Sequence, residues 1–242
     1  MAEPLPPTPA RLPIGFAHRG ARAQCPENTL PAFETALALG ASGLETDAWL
    51  TADGEVVLDH DGVVGPRVRR RPIASLRRGE LPFHIPTLAD LYERCGTSFE
   101  LSVDVKDRAG TNALISTARD VGATDRLWLC DPEVAQLASW RALDPAVHLV
   151  LSTRLRNLAR ETETWVRHLR DLGVEAINLR EREWTPGLVT DMHDGGLLAF
   201  GWDAQEARTL RRLVAAGIDG VYSDYVERMM SAVNDASQPD RK

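Results

Sequence analysis

Short apolar segments alternate with amphipathic ones along this chain, and that alternation is what most restricts its fold. Strand-like segments fall at Ile14–Ala17, Gly43–Leu50, Phe99–Val105, Leu127–Cys130, Val147–Leu151, Ala176–Leu179, Leu197–Phe200 and Gly220–Tyr222. Between and after them run helical patterns at 28–39, 87–95, 112–121, 132–143, 158–172, 186–193, 204–216 and 225–233. The first shows the logic: Leu30, Phe33, Ala36 and Leu37 share one face, Asn28 or Thr29 caps the start, and Gly40 ends it. Strands alternating with helices of this length imply a parallel sheet. Eight strand–helix pairs in 242 residues fit a closed (β/α)8 TIM barrel better than an open doubly wound sheet. One extra strand, Glu55–Leu58, follows the second, after a Thr51-Ala52-Asp53-Gly54 turn. A short irregular insertion follows it. The expected boundaries are a Pro-rich tail at 1–12, one barrel domain at 13–234 and a polar tail at 235–242.

Composition narrows the function. The formal charge is -7, which argues against a general nucleic-acid binder. No apolar run approaches the ~18 residues of a membrane span, and the N-terminus carries no secretory h-region. Three cysteines, Cys25, Cys95 and Cys130, form no CxxC pair, which fits a reducing, cytoplasmic setting without structural zinc. Only Lys106 and Lys242 are lysines, against 26 arginines.

Strands covered on both faces should read apolar throughout. Here several end in charges. The second strand carries Glu45 and Asp47, two apart and so on one face. The third carries Asp104 and Lys106 in the same spacing. The first runs into His18-Arg19, and the extra strand into Asp59-His60-Asp61. Barrel enzymes place their chemistry at strand C-termini. Three carboxylates converging there repel one another, and a hard divalent cation, Mg²⁺ or Ca²⁺, removes that penalty. With Arg19 and Lys106 nearby the site is positive toward a phosphate. His18 and His60 supply an acid and a base. Together these point to phosphodiester cleavage; neither GxGxxG nor a P-loop is present. Trp202, ending the seventh strand, either lines the substrate pocket or packs on the barrel top. Asp59, Asp61 and Asp107 flank the motifs. Asn28 caps a helix or holds a loop near the site. His84, His148, His168 and His193 read as structural.

These segments resemble the glycerophosphodiester phosphodiesterases: AHRG at Ala17–Gly20, PENT at Pro26–Thr29, LETDAWLTADGEVVLDHD at Leu44–Asp61, IPTLADLYERC at Ile85–Cys95 and GIDGVYSD at Gly217–Asp224. The resemblance implies a (β/α)8 barrel that hydrolyses small-molecule glycerophosphodiesters to glycerol phosphate and an alcohol with a divalent metal. It makes His18 and His60 the acid–base pair, Arg19 a phosphate ligand, and Glu45, Asp47 and Asp104 metal ligands, with Lys106 close to the phosphate. The family usually has Glu-x-Lys where this chain has Asp104-Val105-Lys106, one methylene shorter. Its insertion, Gly62–Phe83, is short. Two alternatives stand beside this reading. One is a lysophospholipase D or cyclising phospholipase on the same barrel; the other is a barrel that binds phosphorylated ligands without turnover. Arg67, Arg69, Arg70, Arg71, Arg77 and Arg78 form either a solvated loop or a patch that draws anionic substrates or touches acidic lipid head groups.

Overall fold

The computed structural model describes residues 12–158 and 162–236. Its strands are β1 (Ile14–Ala17), β2 (Gly43–Leu50), β3 (Val56–Leu58), β4 (Val63–Val64), β5 (Arg71–Pro72), β6 (Glu100–Val105), β7 (Leu127–Asp131), β8 (His148–Ser152), β9 (Ala176–Arg180), β10 (Leu198–Trp202) and β11 (Gly220–Ser223). Its helices are α1 (Leu30–Ala38), α2 (Leu88–Cys95), α3 (Thr111–Asp120), α4 (Val134–Arg141), α5 (Thr162–Asp171), α6 (Pro186–Asp194), α7 (Ala207–Ala215) and α8 (Val226–Asp235). Eight strands pair in parallel in the order β1-β11-β10-β9-β8-β7-β6-β2, and β2 pairs back onto β1. The ring closes, as the alternation requires of a (β/α)8 barrel. In this ring β8 stands opposite β1, and β10 opposite β6.

Two apolar layers hold it. Inside the barrel Phe16, Trp128, Val150, Phe200 and Tyr222 interlock, with Phe16 and Tyr222 stacked at 4.7 Å. Gly43 makes room for this layer, because a Cβ there would lie 2.6 Å from the Phe16 ring. Outside, helix residues such as Phe33, Leu91, Leu137 and Met229 pack on the outward strand faces.

Five strands run one or two residues further than the apolar pattern suggests, ending at Asp131, Ser152, Arg180, Trp202 and Ser223. These ends form the open rim, where water replaces apolar cover and polar residues remain in register. Three helices begin two or three residues later than their signals. Thr29 rather than Asn28 caps α1, its hydroxyl accepting from Ala32. The Asp131 carboxylate takes the Glu133 N–H at 2.7 Å, which delays α4. Ala204 still donates to the Tyr222 carbonyl (3.1 Å), which delays α7. Leu158 lies outside any helix; residues 159–161, like 1–11 and 237–242 of the expected tails, lie outside the described residues, and Asp235 ends α8.

The hairpin β2–β3 projects from the rim with Ala48 opposite Leu58. The insertion is more ordered than its sequence suggests. β4 and β5 form a ribbon, and Ile73, Leu76, Leu81 and Ile85 bury themselves against Val57.

At the opposite end of the barrel His148 stacks on Trp128 at 4.1 Å. Its Nε2 donates to the Asp125 carbonyl (3.1 Å), so the neutral ring leaves Nδ1 bare. That atom lies 3.7 Å from Glu175. Burial disfavours a charge here, but the Glu175 carboxylate outweighs it and holds the pKa above the ordinary value. A raised histidine pKa stabilises the fold fully below the unfolded value, about 6.5. That stabilisation is lost as pH rises through the folded value. Comparing His148→Gln with the parent by thermal melts between pH 5 and 9 should show the parent losing about 0.5–1 kcal/mol that the variant does not lose, the scale of a partly exposed ion pair.

Candidate active site

The site begins with an unusual backbone turn. After β1, Arg19 adopts a left-handed conformation (φ 53°), as does Asn28 (φ 53°), which is uncommon for residues other than glycine. The turn aims the Arg19 N–H at the Glu45 carboxylate (2.9 Å). The Asn28 N–H closes on the Arg19 carbonyl at 3.0 Å. The Asn28 side chain donates to Asp47 (3.2 Å) and accepts from Thr46 (2.8 Å). Within the PENT segment Asn28 thus holds the rim acids, while Thr29 caps α1.

Glu45, Asp47 and Asp104 each offer a carboxylate oxygen within 4.8 Å of the others. Register explains it: Asp47 and Asp104 are direct partners across β2 and β6, and Glu45 lies two residues back on the same face. Glu45 and Asp47 are buried. Burial pushes the Glu45 carboxyl up to about 8; the charges of Asp47 and Asp104 add to this, while His18 and the Arg19 N–H oppose it. Lys106 Nζ bridges Asp47 (3.1 Å) and Asp104 (3.0 Å). Burial works against its charge, but the two carboxylates hold the ammonium well above its usual pKa. Arg19 lies 3.2 Å from Asp47 and 3.0 Å from Glu27. Three hard oxygen donors, one buried at an energetic cost, fit a divalent cation such as Mg²⁺ or Ca²⁺.

His18 has a partner that the sequence reading missed. Its Nδ1 lies 2.6 Å from the Asp224 carboxylate at the end of β11. A carboxylate only accepts, so Nδ1 carries the proton and Nε2 faces Glu45 at 3.9 Å. Asp224 is in turn held by Arg22 (3.4 Å), and its N–H donates to Gln205. Burial would raise the Asp224 pKa; His18 and Arg22 outweigh it and keep it low. The signal was available in GVYSD, an acid just past a strand C-terminus, the same cue that singled out Glu45 and Asp104.

His60 follows the β3 hairpin. The Asp59 N–H donates to the Asp47 carbonyl at 3.1 Å, which brings His60 to the same rim. It is half-exposed, with Nδ1 3.0 Å from Asp61, and does not line the main cavity.

That cavity, about 510 Å³, opens over the barrel axis. His18, Glu45 and Asp104 form one wall; Arg154 and Trp202 lie on the other, with Tyr222 on the floor. The Arg154 guanidinium stacks 4.3 Å over the Trp202 ring, and Arg180 approaches the same ring at 5.6 Å. Trp202 is therefore a cavity residue, and Arg154 a cavity cation that the strand pattern gave no reason to select.

The chain is similar to several known proteins. The chain is 27% identical over 242 residues to a glycerophosphodiester phosphodiesterase of Caldanaerobacter subterraneus subsp. tengcongensis, covering 90% of this chain and 96% of that protein. It superposes on a phosphodiesterase of Oleispira antarctica in complex with the product sn-glycerol-3-phosphate, with a TM-score of 0.80 at 23% identity over 92% and 97% of the two chains. A glycerophosphodiester phosphodiesterase of Thermotoga maritima gives a TM-score of 0.79 at 22% identity, over 91% and 98%. At these identities the two superpositions establish the shared barrel. The family model for glycerophosphoryl diester phosphodiesterases matches residues 18–228, from the first rim histidine through the last strand. The chain belongs to the glycerophosphoryl diester phosphodiesterase family and is a phosphoric diester hydrolase.

Proposed function

We propose that this enzyme hydrolyses glycerophosphodiesters to sn-glycerol 3-phosphate and an alcohol, with His18 and His60 as the acid–base pair and Glu45, Asp47 and Asp104 holding Mg²⁺ or Ca²⁺. The observation that carries this is the convergence of three carboxylates, Lys106 and the Asp224-anchored His18 on one rim. A bound divalent cation supplies charge neutralisation for the phosphodiester oxygens. Arg19 and Lys106 add positive charge beside them. One histidine takes the proton of the attacking hydroxyl, and the other gives a proton to the departing alcohol. Asp224 keeps the His18 Nε2 facing the reaction.

The test is a panel of glycerophosphodiesters and lysophosphatidylcholine, with products read by NMR. Glycerol phosphate from the water-soluble diesters supports the proposal. Choline release from the lysolipid alone, or a cyclic phosphate end product, moves the assignment to the lysophospholipase D or cyclising reading. Absence of turnover by the pure, cation-loaded protein leaves only a ligand-binding barrel. We place the activity in the cytoplasm on its three free thiols, Cys25, Cys95 and Cys130. No helix among the described residues is long and apolar enough to cross a membrane.

The opposite cavity wall adds a substrate preference. Arg180 is paired with Asp203 at 2.6 Å, whereas Arg154 has no carboxylate within ion-pair distance among the described residues. A quaternary ammonium would meet that guanidinium on the Trp202 face it could otherwise use. Glycerophosphoserine or glycerophosphoglycerol should therefore exceed glycerophosphocholine in kcat/KM by about tenfold, the effect of one such charge. Arg154→Gln should erase the gap; an equal loss on every substrate would count against head-group selection.

A further inference from the structure

The insertion between β3 and α2 carries groups for which the proposed reaction has no use. Residues 62–84 hold six arginines against one acid, Glu80, in a chain of net charge -7. Glu80 is committed to Arg71 (3.2 Å) and to the Arg77 N–H (2.9 Å). Arg78 leans toward Asp90 (3.9 Å). Arg67, Arg69 and Arg70, at the tip of the β4–β5 ribbon, are exposed and have no ion-pair partner among the described residues. In their midst Val68 is 90% exposed, and beyond the ribbon Phe83 is 95% exposed. Phe83 overhangs an apolar hollow of about 500 Å³ whose walls include Pro26, Leu30, Pro31 and Pro86.

The ribbon is anchored at the rim. Its root, Gly62, accepts from the Ile73 N–H and donates to Asp59 (both 2.8 Å). It lies so close on Trp49 that a Cβ would come 2.3 Å from the indole. The root is two residues from His60. The ribbon therefore springs from the rim that carries His60.

Unpaired arginines around bare Val68, with bare Phe83 beyond the ribbon, match a surface that is anionic outside and apolar beneath. A soluble anion would use the charges and leave Val68 and Phe83 unexplained. A nucleic acid likewise offers phosphates but no apolar layer to receive Val68. We propose that this insertion docks the barrel mouth onto an anionic phospholipid surface, with Arg67, Arg69 and Arg70 against lipid phosphates and Val68 and Phe83 in the interfacial layer. The combination of basic and apolar anchors gives reversible attachment, since neither alone suffices for stable binding.

The experiment is co-sedimentation of the full chain with vesicles of phosphatidylcholine alone, or of phosphatidylcholine and phosphatidylglycerol in equal parts, at low and high salt. Binding is expected to the mixed vesicles and to weaken with salt. Arg67→Gln/Arg69→Gln/Arg70→Gln should weaken it by about 10²-fold, from the contribution of three surface basic groups. Val68→Ser/Phe83→Ser should abolish the fraction that persists at high salt. All five side chains are exposed, so the variants should melt with the parent, and a melt confirms that any loss is not unfolding. No binding to the mixed vesicles overturns the proposal. So does equal binding by the triple arginine variant, or binding indifferent to loss of Val68 and Phe83. Because sedimentation needs no turnover, this outcome is independent of the hydrolytic assignment.

Discussion

His18→Ala should lower kcat/KM on a cleaved glycerophosphodiester by about 10²–10⁴-fold, the usual worth of a positioned proton donor or acceptor, and His60→Ala by a comparable factor. The geometry at His18 gives the expectation a second, sharper form. Its ring is held from behind by Asp224 at 2.6 Å, which fixes the tautomer and leaves Nε2 toward the cavity. Asp224→Asn keeps an acceptor oxygen but removes the charge that favours an imidazolium in the transition state. It should therefore cost less than loss of the histidine, about 10–100-fold. The cost should appear in kcat rather than KM, with the histidine-dependent limb of the pH–rate profile moving to lower pH. Asp224→Glu should recover part of it. A purely structural Asp224 would change stability and leave the pH profile in place. His60 is the harder case, because it is half-exposed and its ring is bonded to Asp61 alone among the described residues. If both histidine variants keep near-parental turnover, the acid–base assignment is wrong. If only His60→Ala does, His18 works with a different partner.

How much of this the residues announced depends on what each signal measures. Apolar periodicity reports burial, so all eight barrel strands and their helices were legible, and so were the rim charges that interrupt the pattern. Glu45, Asp47 and Asp104 could be placed on one face because a strand has a period of two. Across-barrel relations carry no local signature. Asp224 reaches His18 over a sequence distance of 206 residues, and only ring closure between β11 and β1 makes them neighbours. Arg154 was one of 26 arginines, on a loop whose pattern distinguishes none of them. For Asn28 the sequence leaves two roles open, a helix cap or a hold on a loop near the site; its left-handed backbone turns the side chain inward to Asp47, the second of them. The insertion read as irregular because its arginines mask the spacing of Ile73, Leu76, Leu81 and Ile85, which form a small core of their own.

Chelation should remove turnover altogether, and Mg²⁺ or Ca²⁺ should restore it. The same cation should also stabilise the fold, which can be read without any substrate. Three carboxylates within 4.8 Å, two of them buried, repel one another, and a ligand bound only by the native state contributes RT ln(1 + [L]/Kd), about 2.7 kcal/mol at 100 Kd. For a protein of this size that raises the melting temperature by about 5–10 °C. Glu45→Gln and Asp47→Asn should abolish the rise and cost about 10²–10³-fold in kcat, the usual loss when a transition-state charge partner is removed. Asp104→Glu should keep the rise, since the family's usual residue restores the carboxylate at longer reach. Lys106 supplies the discriminating control. Its ammonium bridges Asp47 and Asp104, so it offsets the repulsion that a cation would offset and competes for the same oxygens. Lys106→Met should lower the melting temperature of the chelated enzyme, where Asp47 and Asp104 lose the counter-charge they share, and should enlarge the rise on adding cation. A cation-induced rise that is absent from the parent, or equal in Glu45→Gln, would show that these acids do not form a metal site.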